Sequence, residues 1–359
     1  MAQRVTYNDA MHLLERLIAT PSHSRQEQAT ADVLYDFLTQ RGVEARRHLN
    51  NVWAIQPHHN PQLPTLMLNS HHDTVRPSQS YTVEPYEPLH RDGKLYGLGS
   101  NDAGASLVAL VALFCNNYTA ELPFNIVLAL SAEEEVSGVN GVRALLKELK
   151  EQDIKCDMAI VGEPTQMQAA IAERGLMVWE CEAEGRSGHA ARNEGENALY
   201  KALEDIELLR NFRFDRSSEL LGEIKLTVTQ IEAGVQHNII PDRCRFVVDV
   251  RTTDAYTNEE VVELLAEKMQ STVSPRSTHI RAAVISMEHP LTRAAIAVGC
   301  DTFISPTTSD RTLMDFPALK IGIGDSARSH TADEFIYEAE LAEGMERYEA
   351  ILEQLKRFI

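Results

Sequence analysis

The sequence is poor in the features that would tie it to a membrane, a nucleic acid or a disulfide framework. No apolar run reaches the roughly 18 residues needed to cross a bilayer. The opening stretch, with Asp9, Glu15, Arg16 and Pro21, lacks the basic-then-apolar plan of a signal peptide. Basic residues are in deficit, since 34 Lys and Arg face 53 Asp and Glu, for a formal charge of −19. Phosphate backbones need basic patches, so nucleic acid is excluded as a partner. The five cysteines (Cys115, Cys156, Cys181, Cys244, Cys300) lie far apart with no C-x-x-C pair, and read as reduced core residues. Together these absences point to a cytoplasmic protein acting on small molecules, and the acidic balance would steer a cationic one favourably.

What is present is a long chain with regular alternation. At 359 residues it exceeds the usual single-domain size, so two domains are expected. Asn8 precedes an amphipathic stretch from Ala10 to Ala19 that Pro21 ends, and Ser24 with Glu27 has the spacing of a capping box for a second helix running to Gly42. Strand-like runs follow at Val52–Ile55 and Thr65–Asn69, parted by the loop Pro57–Pro64. Ala103 to Phe114 is apolar on nearly every side, which marks a buried helix. Further strands, Phe124–Leu130 and Met158–Val161, enclose a helix over Val139–Lys150. This alternation predicts an α/β fold, a mostly parallel mixed sheet flanked by helices, and such sheets bind ligands beyond the carboxyl ends of their strands.

Near Gly175 the pattern changes. Met177–Glu184, Ile224–Ile231 and, less strictly, Thr278–Ile285 alternate apolar and polar residues, while Cys244–Val250 is denser. With helices over Asn197–Leu209 and Asn258–Met269, the order is that of a ferredoxin-like α+β domain. Residues 176–286 are expected to form this domain, inserted into a first one made of 1–175 and 287–359. The latter resumes with a helix near Leu291–Gly299, a strand at Ala318–Ile323 and a closing helix from Ala339 to Ile359.

Five segments of the first domain end in possible metal ligands: His71, Asp102, Glu135, Glu163 and His330. Two imidazoles and three carboxylates can hold two divalent ions if one carboxylate bridges them, a donor set that suits zinc, with cobalt or manganese as substitutes. Any one of these residues alone reads first as a solvated loop or a cap. Five of them on one sheet edge is the informative pattern.

The motifs also resemble a family, the co-catalytic zinc amidohydrolases and peptidases that include acetylornithine deacetylase, succinyl-diaminopimelate desuccinylase and aminoacylase. His71-His72-Asp73 is similar to its H-x-D, Gly99-Ser100-Asn101-Asp102 with Gly104 to its loop around a bridging aspartate, and Glu134-Glu135-Val136 to its E-E pair. Gly162-Glu163-Pro164, Ser187-Gly188-His189-Ala190, Asn238-Ile239-Ile240-Pro241 and Ser329-His330 with Asp333-Glu334 follow in order. The resemblance implies that Asp102 bridges, that His71 and Glu163 complete one metal and Glu135 and His330 the other. It further implies that Glu134 is the general base and that Asp73 orients the His71 imidazole. It assigns His189 to the oxyanion, sometimes across a homodimer formed through the inserted domain, and Asn238 and Arg251 to the substrate. Thr307 and Thr308, with Ser309, are expected to frame that substrate.

Alternatives stand beside these assignments. His72 neighbours His71, and the H-x-D spacing favours His71. Within Glu133-Glu134-Glu135 the base is placed at the middle residue because Val136 should follow the ligand. Asp73 reads also as a turn former, His189 as a surface residue, Asn238 as a turn cap and Arg251 as half of a strand-end ion pair. A lysine usual in the family after the bridging aspartate is absent here, with Ala103 and Ala105 flanking Gly104. Motif texture lies nearest the acetylornithine deacetylase branch. The expected substrate is therefore an Nα-acyl amino acid such as N-acetylornithine, N-succinylornithine or N-acetylcitrulline, in arginine biosynthesis. A di- or aminotripeptidase, or a silent binding protein keeping the fold, are the competing expectations.

Overall fold

A computed structural model describes residues 3–192 and 194–359. They form two compact units, one of residues 1–171, 285–303 and 309–359, the other of 172–284 and 304–308. Each is described by itself.

The first unit opens with α1 (Tyr7–Ile18) and α2 (Gln28–Gln40). The α1 cap is Thr6, ahead of Asn8, because Thr6 and Asp9 exchange side-chain and backbone hydrogen bonds across the first turn. The capping box expected from Ser24 and Glu27 does not form: Glu27 stands at the N-cap of α2, but its carboxylate makes no bond to the helix. Ser24 donates to the Asp73 carboxylate and Glu27 accepts the Glu133 N–H.

The strands β1 (Ala45–His48), β2 (Asn51–Ile55) and β3 (Thr65–His71) come next, followed by the hairpin β4 (Leu89–Arg91) and β5 (Lys94–Tyr96). An irregular turn over Ser100–Gly104 leads into α3 (Ala105–Asn116), then β6 (Asn125–Ser131), α4 (Val142–Glu151), β7 (Met158–Val161) and β8 (Ala169–Glu173), within which the chain passes into the second unit. That unit holds β9 (Gly175–Glu184), α5 (Ala198–Asn211), β10 (Lys225–Ala233), β11 (Arg243–Thr252), α6 (Asn258–Ala266), β12 (Thr272–Pro275) and β13 (Ala283–Val284). The chain closes with α7 (Pro290–Ala297), β14 (Thr302–Ser305), β15 (Ala318–Lys320), β16 (Phe335–Tyr337) and α8 (Glu338–Leu355).

The sheet of the first unit runs β1-β2-β6-β3-β7-β15-β8. Its centre is parallel, β6 with β3, β3 with β7, and β7 with β15, while β1 and β2 run antiparallel at one side. Strands β3, β6 and β7 are buried along their whole length, as a sheet covered on both faces requires. One cover is α3, whose residues from Ala105 to Cys115 are all buried because it is apolar all round. Removing a large side chain there, as in Phe114→Ala, would cost roughly 3–5 kcal/mol. The sheet therefore holds the carboxyl ends of β3, β6 and β7 in a fixed row.

In the second unit an antiparallel sheet runs β10-β11-β9-β12 with α5 and α6 packed on one face, the ferredoxin-like order. Along β9 the residues alternate, so that Met177, Trp179, Cys181 and Ala183 enter the core. The fourth strand is Thr272–Pro275 and not the expected Thr278–Ile285, of which only Ala283–Val284 is extended. The Asn258 side chain donates to the carbonyls of Thr278 and Ile280, which diverts that backbone from a ladder. All five cysteines are buried and unpaired, and among the described residues no helix is long and apolar enough to cross a membrane.

Candidate metal centre

Four of the clustered side chains arise where the parallel strands stop. His71 is the last residue of β3 and pairs in register with Ser131, the last of β6. Glu134 and Glu135 lie in the short helical turn after β6, and Glu163 follows β7 by two residues. Asp102 sits in the irregular turn before α3 with extended backbone angles, φ −116 and ψ 95. Its loop is held by Glu334, whose buried carboxylate accepts the backbone N–H groups of Gly99 (3.0 Å), Asn101 (2.9 Å) and Asp102 (2.9 Å). His330 lies in the left-handed region at φ 58, in the turn that also carries Asp333 and Glu334. Asp333 in turn receives Thr82 N–H and Oγ and the N–H of Val83.

These side chains converge. His71 Nε2 lies 3.3 Å from Asp102 Oδ1 and 3.8 Å from Glu163 Oε1. His330 Nε2 lies 3.7 Å from Asp102 Oδ2 and 2.9 Å from Glu135 Oε2. Asp102 thus offers one oxygen toward each histidine. Ligand atoms of His71, Asp102 and Glu135, and of His71, Glu134 and Glu163, fall within 4.8 Å of one another, so Glu134 stands inside the same cluster.

The electrostatics fit cations. Burial works against a charged His71, yet its hydrogen bonds to Asp102 and Asp73 outweigh that and raise it well above the ordinary imidazole value. Asp102 is held low for the matching reason, its bond to His71 overcoming desolvation. His330 is raised to about 9, first by its hydrogen bond to Glu135. Glu134 is pushed well above the carboxylate range by burial and then by the charge of Glu163. Glu334 rises to about 7 through burial and the charge of Asp102. A site where carboxylates outnumber imidazoles and one of them is driven toward neutrality is short of positive charge. Two divalent ions on this nitrogen and oxygen donor set would supply it.

Asp73 meets the His71 ring through both its backbone and its side chain. The nearer acceptor for His71 Nδ1 is the Asp73 backbone carbonyl at 2.9 Å, with the carboxylate Oδ1 at 3.5 Å. A carbonyl only accepts, so Nδ1 carries a proton and Nε2 faces the cluster. The Asp73 carboxylate also receives the N–H groups of Glu134 (3.0 Å) and Glu135 (3.2 Å) and the hydroxyl of Ser24 (2.7 Å). His72 turns away: its ring meets Thr30 Oγ and the Asn50 carbonyl, and burial drives its pKa down to about 4.

Residues missed from sequence line the rear of the centre. Asp310 is buried and receives the Ser131 hydroxyl at 2.6 Å, and desolvation pushes its pKa up to about 7. Asn69, inward on β3, donates to Ser131 Oγ and the Ala129 carbonyl. No local pattern marks these residues, since a polar residue within a strand or loop has no spacing signature.

His189, Asn238, Arg251, Thr307 and Thr308 belong to the second unit. His189 and Asn238 lie on neighbouring loops there, with a backbone bridge between His189 and Ile239 and a bond from the Ala190 N–H to the Asn238 carbonyl. Both are exposed. Arg251 forms a two-pronged ion pair with Asp249, at 2.8 and 3.1 Å. Thr307 accepts the Ser305 hydroxyl through its carbonyl, while Ser309 is buried in the first unit.

Comparison with known proteins agrees with this geometry. Residues 67–354 match the profile of peptidase family M20/M25/M40. A succinyl-diaminopimelate desuccinylase of Delftia acidovorans is 26% identical over 383 residues, covering 97% of this chain and 98% of its own. An aminopeptidase from Bacillus cereus superposes with a TM-score of 0.74 at 18% identity, over 98% of this chain and 99% of that one. A dinuclear metal-binding peptidase from Bacillus subtilis does so with 0.72 at 16%, over 98% and 99%. The curated relatives carry the desuccinylase name, which corrects the placement nearest the acetylornithine deacetylase branch. The short motifs that carried the resemblance concern possible metal ligands and record nothing of the acyl group or amino acid. With four-fifths of its length matched by that profile, the chain belongs to peptidase family M20/M25/M40, a family of metallo-hydrolases.

Proposed function

We propose that this protein hydrolyses the amide bond of an N-acylated diamino acid, releasing acetate or succinate. The observation that carries the reading is Asp102, presenting one oxygen to each of two histidines with Glu134 in the same cluster. His71, Glu163 and Asp102 are assigned to one divalent ion and Asp102, Glu135 and His330 to the other, with zinc as the metal and cobalt or manganese as substitutes. When bound, the two ions polarise the substrate carbonyl and lower the pKa of a water molecule. With cations held there, the Glu134 carboxylate would take a proton from the attacking water and pass it to the leaving nitrogen. The Asp73 carbonyl fixes the His71 tautomer, and the Asp73 carboxylate orients the backbone of Glu134 and Glu135.

The acyl diamino acid class rests on the name of the Delftia acidovorans relative and on the acidic balance of the chain, which suits a substrate with a second amino group. Ornithine, lysine and diaminopimelate derivatives are the members to compare, with the neutral citrulline derivative as a control for the second amino group. The second unit is assigned a lid and homodimer role, with His189 donating to the oxyanion and Asn238, Arg251, Thr307 and Thr308 meeting the substrate. A cytoplasmic location completes the reading.

The test is a hydrolysis screen of the zinc-loaded full chain against acetyl and succinyl derivatives of these amino acids, with dipeptides alongside. Turnover of one acyl diamino acid at least about tenfold above the dipeptides is expected. Turnover of dipeptides alone would make the protein a peptidase, and turnover of none would remove the enzymatic reading.

A further inference from the structure

The loop that delivers Glu134 and Glu135 is held by its own amides. Four consecutive backbone N–H groups each donate to a side-chain oxygen: Ala132 to Asn51 Oδ1 (3.0 Å), Glu133 to Glu27 Oε1 (3.3 Å), Glu134 to Asp73 Oδ1 (3.0 Å) and Glu135 to Asp73 Oδ2 (3.2 Å). The loop sits beyond the last ladder bond of β6, so none of these amides has a strand partner, and buried amides must be satisfied. Glu133 lies at φ 55, a left-handed conformation that a non-glycine residue keeps only when its surroundings enforce it. Its N–H is held by Glu27, and its carboxylate is held by the N–H (3.3 Å) and side-chain amide (3.0 Å) of Asn140.

Glu27 has no other evident reason to be there. It is an acidic residue with 0% exposure at the start of α2, and its carboxylate makes no cap for that helix. One oxygen takes the N–H groups of Arg25 and Glu133, and the other takes the Asn50 side-chain amide at 2.8 Å. Asn50 also gives its carbonyl to His72, the neighbour of His71. A buried carboxylate is tolerated when several donors meet it, and here all of them belong to segments that flank the centre.

We infer that Glu27 is a positioning residue: by fixing the Glu133 amide in its left-handed turn, it aims the Glu134 carboxyl and places Glu135 opposite His330. The inference rests on the reading of Glu134 as base and Glu135 as ligand. It assigns to α2 a part in the chemistry without contact with substrate or metal.

The experiment compares wild type, E27A and E27Q as full-length chains, with E27D replacing E27A if the alanine variant does not fold. Kinetics on the best substrate of the screen, zinc titration of the metal-free chain and thermal melting are measured together. E27A is expected to lower kcat about tenfold to a hundredfold with KM within about twofold, since small misplacement of a reacting group costs this much. It is expected to weaken one of two zinc equivalents about tenfold. The glutamine oxygen can still receive both N–H groups, so E27Q should return kcat and zinc affinity to within about threefold of wild type even if its melting temperature is lower. Wild-type kcat and zinc affinities in E27A would overturn the inference. So would equal losses in E27A and E27Q that track melting temperature, the pattern of a purely structural carboxylate. Absence of hydrolysis by wild type would remove the proposed reaction while the zinc titration still decides Glu27. Absence of zinc binding by wild type would remove both.

Discussion

The two histidines of the centre stand in opposite surroundings. The His71 side chain is 1% exposed, lies at the end of a fully buried strand and is pinned on both ring nitrogens. The His330 side chain is 54% exposed, rides on a left-handed turn and meets Glu135, itself on a short helical turn. One half is therefore built from the sheet and the other from loops braced by side chains. A strand end is held by ladder bonds on both sides and cannot shift without disturbing the core, whereas a braced loop can yield locally. The difference implies that, if two ions bind here, the inner position is tight and preformed and the outer one is weaker.

The largest expected effect tests what lies between the halves. Glu134→Ala should lower kcat by roughly a thousandfold or more, at the upper range for loss of a general base, with both zinc equivalents retained. Loss of a zinc equivalent in that variant would make Glu134 a ligand and dissolve the division drawn here. Next come the histidines themselves. His71→Ala leaves a buried carboxylate cluster without its imidazole and should destabilise the metal-free fold by about 3 kcal/mol or more, read by denaturant unfolding. His330→Ala should cost less than about 1 kcal/mol and remove one zinc equivalent. Equal destabilisation would erase the contrast.

The pH dependence is a finer test. Glu135 holds His330 up to about 9, above its ordinary value of about 6.5. Its contribution to the metal-free fold is thus complete below about pH 6.5 and lost as pH rises through about 9. Zinc competes with the proton at that imidazole, so affinity at the outer position should fall as pH is lowered. Melting curves of chelator-treated protein and zinc titrations at both ends of this range check the sign, and His330→Ala should flatten both profiles. The smallest effect is expected of Ser24→Ala, which removes the hydroxyl bond to the Asp73 carboxylate and should lower kcat about threefold, because that carboxylate keeps the N–H groups of Glu134 and Glu135. A loss above about thirtyfold would show that the inner half depends on its outer layer more than its burial implies.

The legibility of the molecule follows the same division. Continuous apolar runs made β3, β6, β7 and α3 readable, because an element buried on all sides needs no particular partner to declare itself. The ligand-type residues stood out because they terminate those runs. Irregular segments were harder. The fourth strand of the second unit was misplaced because the less strict alternation over Thr278–Ile285 resembles a strand until the Asn258 side chain claims its carbonyls. Asp310, Asn69 and Ser131 carried no signal, since their partners come from separate strands and loops far apart in the chain. The substrate-facing assignments in the second unit and the choice of acyl group rest on side-chain contacts that no local spacing records.

Ser24 and Glu27 mark the boundary most clearly. By itself the sequence determined that a helix begins there, that a buried parallel sheet follows, and that five ligand-type residues end its segments. Those properties depend on periodicity and on polar residues closing apolar runs, which are local. Only the tertiary structure decided that the two residues spaced like a capping box make no box at all. Ser24 donates to Asp73 and Glu27 receives the Glu133 amide, because an irregular buried loop offers unsatisfied N–H groups at a price in free energy that α2, with water available at its end, does not match.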